Sequence, residues 1–180
     1  MADLLTIHRD MLERRRAIMN LVGPGDLQFH YDDCEQALSW LDPEGHWVDL
    51  GSGAGFPGVV LAAMYPTLRV DLVESRRKRS IFLEQVIAEA GVDDRVRVLN
   101  MRAEDLRDTY DGVVARAFAP PATVIRYAEK LLGPTGKVVL FLQGDATVPV
   151  GPTLEMFHVE QYRVAARERM AVGLQVKADL

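Results

Sequence analysis

The sequence predicts an α/β fold, a mostly parallel seven-stranded sheet with helices on both faces, and three observations carry that prediction. From Trp47 onward, short apolar runs rich in valine and leucine alternate with helical patterns, the order that strand–helix–strand crossovers produce. Between the first strand and the next helix lies Gly51-Ser52-Gly53-Ala54-Gly55-Phe56-Pro57-Gly58, a turn whose glycines let main-chain N–H groups approach a ligand at a helix N-terminus. Two polar-flanked runs near the C-terminus, about 158–164 and 170–177, read as a terminal hairpin with its last strand antiparallel.

At 180 residues and 48% hydrophobic content, the chain suits one domain with its own core. That domain is expected to span 1–180, with 1–42 as an N-terminal helical extension. The single cysteine, Cys34, excludes an internal disulfide and a Cys-rich zinc site, which suits a reducing compartment. The first residues lack a basic segment followed by a long apolar run, and no stretch nears the roughly 20 apolar residues that span a bilayer. A cytoplasmic monomer with no membrane and no metal is the expectation. The net charge of −5 argues against a protein that coats nucleic acid over its whole surface, while leaving room for a local basic face.

The elements follow in order. Leu4, Ile7, Met11 and Ile18, flanked by Leu5, Leu12 and Met19, have the spacing of an amphipathic helix with Arg14-Arg15-Arg16 on its wetter side. After a Gly23-Pro24-Gly25 break, a second helix is predicted from Asp32 or Asp33 to Leu41, with an aspartate as N-cap. The first strand is 46–50, and Pro57 opens a helix through Met64. Arg69 to Glu74 forms the second strand, followed by a helix that buries Ile81, Phe82, Val86 and Ala90 and stops at Gly91. Val96–Leu99 and Gly112–Ala115 read as strands three and four. Pro120-Pro121 opens a helix to Leu132 that Gly133-Pro134 stops, and Lys137–Leu142 is strand five.

Two ligands compete for the glycine loop. Gly53-Ala54-Gly55-Phe56-Pro57-Gly58 satisfies G-x-G-x-x-G, with Glu74 about twenty residues on, where a dinucleotide's ribose acid belongs. That phase leaves Gly51 unexplained. The alternative places Asp49 at the strand end and Gly51, Gly53 and Gly55 in the turn, a pattern that suits S-adenosylmethionine. A buried carboxylate beside a pyrophosphate sets like charges together, whereas S-adenosylmethionine brings a sulfonium and an ammonium. Glu74 can accept ribose hydroxyls in either case.

Val48-Asp49-Leu50-Gly51-Ser52-Gly53-Ala54-Gly55-Phe56-Pro57-Gly58, Leu72-Val73-Glu74-Ser75, Arg102-Ala103-Glu104 and Ala115-Arg116-Ala117-Phe118-Ala119 together resemble the bacterial 16S rRNA guanine-N7 methyltransferase family, also called glucose-inhibited division protein B. The resemblance implies a Rossmann-like class I methyltransferase fold, S-adenosyl-L-methionine as cofactor and 16S rRNA or the 30S subunit as partner. It also implies that Gly51, Phe56, Ala103 with Glu104, and Arg116 line the cofactor site, with Arg116 the expected catalytic residue. A surface ion pair of Arg116 with Asp111 or Glu104 is the structural alternative. The sequence departs from the family pattern at Phe29, Cys34 and Gln143.

Guanine N7 carries an available lone pair, so its methylation needs no base to remove a proton, and the sequence offers no evident acid/base pair. Exocyclic amine methylation uses an Asp/Asn-Pro-Pro-aromatic turn, where this chain has Ala119-Pro120-Pro121-Ala122. Methylation at a pyrimidine carbon needs a cysteine nucleophile, and Cys34 lies far upstream, most simply a buried small residue. Candidate RNA-binding cations are Arg76, Arg77, Lys78, Arg79, Arg102, Arg116, Arg126, Arg167 and Arg169. His8, His30, His46 and His158 show no metal-like spacing and read as scattered surface or core residues.

Overall fold

The computed structural model describes residues 3–19, 21–22 and 25–178, with the side chains of 16–19 outside the description. The elements run α1 (Leu4–Met19), α2 (Gln28–Leu38), β1 (His46–Leu50), α3 (Gly58–Met64), β2 (Arg69–Val73), α4 (Arg77–Ala90), β3 (Val96–Leu99), a 3-10 turn (Ala103–Asp105), β4 (Tyr110–Arg116), α5 (Pro121–Leu131), β5 (Leu132–Gln143), β6 (Leu154–Val164) and β7 (Arg167–Val176). The seven strands order as β3-β2-β1-β4-β5-β7-β6. The pairs of β1 with β2 and β4, β2 with β3, and β4 with β5 are parallel, while β7 runs antiparallel to both β5 and β6. The strand order reverses at β1 and β4, whose carboxyl ends form the crevice where open α/β sheets bind ligands.

Alternation along each strand divides the core. Trp47, Val70, Leu72, Val114 and Val139 face α1 to α4, whereas Val48, Leu50, Val73, Val113 and Val138 face α5. Helix α3 is buried almost all round at Val59, Val60, Leu61 and Ala62, because α1 and α2 cover the side that the sheet does not. The opposite face is thinner, since the β3–β4 crossover contributes only the 3-10 turn.

Several expected boundaries move. Helix α2 starts at Gln28 rather than at Asp32 or Asp33, and the Asp26 carboxylate accepts the Gln28 N–H at 2.9 Å. Asp33 caps nothing: it is fully buried, for reasons given below. Pro57 sits just before α3 rather than in its first turn. In α4 the buried face is Ser80, Phe82, Leu83, Val86 and Ile87, while Ile81 is exposed. The β4–β5 ladder pairs Tyr110 with Leu132 and resumes at Gly112 with Lys137, so Gly133-Pro134 interrupts the ladder instead of ending the helix one residue earlier. The seam of α1 is Leu4, His8, Met11 and Leu12, with Ile7 half-buried. Ile18 and Met19 of the expected stripe, and Gly23-Pro24 of the expected break, lie outside the described side chains or residues.

Candidate active site

The loop after β1 is built by two carboxylates. Asp49, at the end of β1, accepts the Gly58 N–H through Oδ2 at 2.9 Å, which satisfies one of the donors exposed at the start of α3. Its Oδ1 is buried with no hydrogen-bond partner among the described residues, and burial pushes its carboxyl up to about 7. Glu74, just beyond β2 and 5% exposed, accepts the Gly53 N–H through Oε2 at 3.0 Å and the Arg76 N–H through Oε1 at 2.7 Å. One side chain thus fixes the loop tip against the end of β2. Each oxygen keeps a second lone pair for a ligand.

At two loop glycines a close approach coincides with a positive φ. Gly51 has φ +75°, and a Cβ there would lie 2.5 Å from Cδ2 of Phe118. At Gly55, with φ +110°, a Cβ would come within 2.8 Å of His8 Nε2 and of Val59. Phe118 and Ala117 beyond β4, Glu74 to Arg76 and Arg79 beyond β2, and Met101 to Glu104 beyond β3 enclose a cleft of about 320 Å³ over Gly51. Gly51, Glu74, Ala103 and Glu104 are therefore brought together, as expected. Gly53 supports that wall through Glu74.

Phe56 is not in this cleft. Its ring, 7% exposed, packs on His8, His30 and Tyr31 with centroids 5.0–5.2 Å apart, so its side chain joins the loop to α1 and α2, and the apolar wall of the cleft is Phe118 instead.

Arg116 ends β4 with a side chain 12% exposed. Neither Asp111 nor Glu104 pairs with it. Its Nε lies 3.2 Å from Asp33 Oδ2, its Nη2 donates to His30 Nδ1 at 2.5 Å, its Nη1 lies 3.5 Å from Cys34 Sγ, and its Cζ is 5.6 Å from the Phe56 ring centroid. Asp33 also accepts from Arg169 Nε at 2.9 Å and Nη2 at 3.2 Å, and from the Tyr162 hydroxyl at 2.9 Å. This buried cluster joins α2, β4, β6 and β7. Burial, then Arg116, brings His30 down to about 4, so its neutral ring accepts from the guanidinium. Cys34, far from the site in sequence, touches Arg116 in space, and burial pushes its thiol up to about 12; it supplies no thiolate.

His8 is the residue that the sequence most concealed. Fully buried, it places Nε2 at 2.6 Å from the Ala54 carbonyl of the glycine loop and Nδ1 at 2.8 Å from the Tyr31 hydroxyl. Burial lowers it to about 4; the neutral ring donates to Ala54 and accepts from Tyr31. The i, i+4 position of His8 relative to Leu4 and Leu12 on the apolar seam was the available signal. Among the described residues there is no group of three or more His, Cys, Asp or Glu side chains arranged to hold a metal ion, and no helix long and apolar enough to cross a membrane.

A family model described as GidB, rRNA small subunit methyltransferase G, matches residues 3–148. The chain belongs to the GidB family. Two relatives, each called ribosomal RNA small subunit methyltransferase G, show the range of similarity. That of Kineococcus radiotolerans is 34% identical over 96% of this chain and 70% of its own length. That of Rhizorhabdus wittichii is 49% identical over 65% of this chain and 55% of its own. The chain thus spans little more than half the length of some curated relatives. Among solved structures, Pyrococcus horikoshii TYW2 in complex with MeSAdo has a TM-score of 0.68 at 14% identity, covering 90% of this chain and 67% of that one. That likeness shows a shared α/β fold, in line with the Rossmann-like fold that the resemblance implied. In this chain the loop, the Ala103-Glu104 turn and Arg116 all lie at or beyond the carboxyl ends of strands, at one end of the sheet.

Proposed function

We propose that this chain is an S-adenosylmethionine-dependent methyltransferase that methylates N7 of a guanine in 16S rRNA of the small ribosomal subunit, acting in the cytoplasm as one domain. The observation that carries the reading is the glycine loop held by Glu74 under Phe118, in a chain of the GidB family whose curated relatives are called ribosomal RNA small subunit methyltransferase G.

The residues present fit S-adenosylmethionine better than a dinucleotide. Buried Asp49 Oδ1 has no partner among the described residues, and a cation nearby would draw its carboxyl toward the ionised form, whereas a pyrophosphate would oppose it. When bound, the cofactor supplies an electrophilic methyl group. Glu74 would accept from the ribose, the Ala103-Glu104 main chain would meet the adenine edge, and Phe118 would exclude water over Gly51. Arg116 orients reactants: its guanidinium has donors to spare beyond Asp33, His30 and Cys34, and its position is fixed by them.

Neither His30 nor Cys34, the titratable neighbours of Arg116 besides the ion-paired Asp33, is set up as a base. His30 already accepts from Arg116, and the Cys34 thiol stays protonated. An acceptor with its own lone pair, such as guanine N7, needs only alignment and dehydration, and orientation alone is worth about 7–11 kcal/mol in favourable cases. Calorimetric titration with S-adenosylmethionine and with NAD tests the cofactor assignment. Wild type binds the former in preference, and Glu74→Ala, which strands the Gly53 and Arg76 N–H groups, binds it more weakly; preferential binding of NAD would remove the reading.

A further inference from the structure

On the thinner face, the 3-10 turn that replaces a crossover helix leaves a groove against α5. It has a volume of about 460 Å³ and is floored by Leu106 and Leu131. One stripe of α5 lines its side: Thr123, Arg126, Tyr127 and Lys130 recur at helical spacing, and Arg107 faces them from beyond the turn. Ala103 and Glu104 belong to the walls of both this groove and the cofactor cleft, and the Glu104 carboxyl is held below its usual range first by its own main-chain N–H and then by the Tyr127 hydroxyl. The two cavities are neighbours across one turn of chain.

Their charge is opposite to that of the molecule. The chain carries 21 Lys and Arg against 26 Asp and Glu. Yet the two linings contribute Arg76, Arg79, Arg102, Arg107, Arg126 and Lys130 against Glu74 and Glu104. The other end of the sheet is reversed: the cavity of about 450 Å³ at the start of β1 and β4 is lined by Asp42, Glu44 and Asp111 with Lys137 alone as cation. A molecule polarised in this way presents one edge to a polyanion and repels it from the other.

We propose that the groove between the 3-10 turn and α5 binds the sugar–phosphate backbone of the RNA beside the target nucleotide, with Arg126, Lys130 and Arg107 on phosphates and the half-buried Tyr127 ring against a base or sugar. This rests on the reading of the chain as an RNA methyltransferase and adds where the RNA is gripped. Cations that track a backbone together with an aromatic surface are what single-stranded RNA requires. Arg107 already donates to the Glu104 and Leu106 carbonyls, so it arrives ordered. Arg126 and Lys130 are exposed and can be changed without opening the core.

The test is equilibrium binding of a 16S rRNA fragment to the full chain across a salt series, for wild type and for Arg126→Gln combined with Lys130→Gln. S-adenosylmethionine affinity and thermal unfolding are measured on the same samples. Each phosphate contact contributes about 0.7–0.9 to the slope of log affinity against log salt, so losing two is expected to flatten the slope by about 1.4–1.8 and to weaken binding at least tenfold at low salt. Cofactor affinity and unfolding temperature stay unchanged. An unaltered slope in a variant of a wild type that does bind RNA overturns the groove assignment alone. A wild type that binds no RNA overturns it together with the functional reading.

Discussion

Replacing Asp33 by asparagine is the most informative single change to the buried cluster. The carboxylate is fully buried and lies between two guanidinium groups, Arg116 and Arg169, with the Tyr162 hydroxyl on the same oxygen as Arg169 Nε. Asparagine keeps the shape but removes the only negative charge and turns an acceptor toward N–H donors as an amide. Breaking a buried ion pair from one side costs about 3–5 kcal/mol, because the remaining charge stays desolvated. For a domain of this size each kcal/mol moves the melting temperature by roughly 2–4 °C, so Asp33→Asn is expected to melt roughly 6–20 °C lower in calorimetry. Adding Arg169→Met removes one of the orphaned cations, so the double variant should be more stable than the sum of the singles by at least about 1 kcal/mol. A loss below about 1 kcal/mol for Asp33→Asn, with additive behaviour, would refute the claim that this cluster holds Arg116 in place.

Two further outcomes follow from the same geometry. His8 is held neutral, with its folded value near 4 against 6.5 for the free group; the unfolded chain therefore binds more protons between those values, and the contribution of His8 to stability is complete above about 6.5 and lost as pH falls toward 4. In denaturant titrations, the stability gap between wild type and His8→Gln should narrow by about 2 kcal/mol from pH 7 to pH 5, and a constant gap would show that His8 is not buried neutral. Arg116→Lys keeps the charge but loses the planar fork that reaches Asp33, His30 and Cys34 together; kcat/KM for methyl transfer should fall at least tenfold, about 1.4 kcal/mol, and full activity in that variant would reduce Arg116 to a structural residue.

The sheet and the cofactor loop were legible because their signals are local. β1 and β3 were bounded as they occur, and the glycines between Asp49 and Pro57, with Glu74 at the next strand end, come together as their spacing implies. What escaped were contacts between distant segments. Asp33 looked like a helix cap since an aspartate before an apolar run usually is one, and only the return of β6 and β7 beside α2 supplies Tyr162 and Arg169 to bury it. Phe56 was expected to wall the cleft from its place on the loop; α1 and α2 instead draw its ring away, and Phe118 takes that position. The spacing of His8 with Leu4 and Leu12 marks it as a seam residue but not its partners, because Ala54 and Tyr31 belong to other elements. Ile81 followed the helical period but fell at the edge of the face that α4 buries.

The most direct measurement is transfer of labelled methyl from S-adenosylmethionine to naked 16S rRNA, to assembled 30S subunits and to a control without RNA, with the modified base mapped. The account predicts label in an RNA-containing sample and at a guanine N7. Cofactor binding without label in either RNA, or label mapped to an exocyclic amine or a pyrimidine carbon, would contradict it.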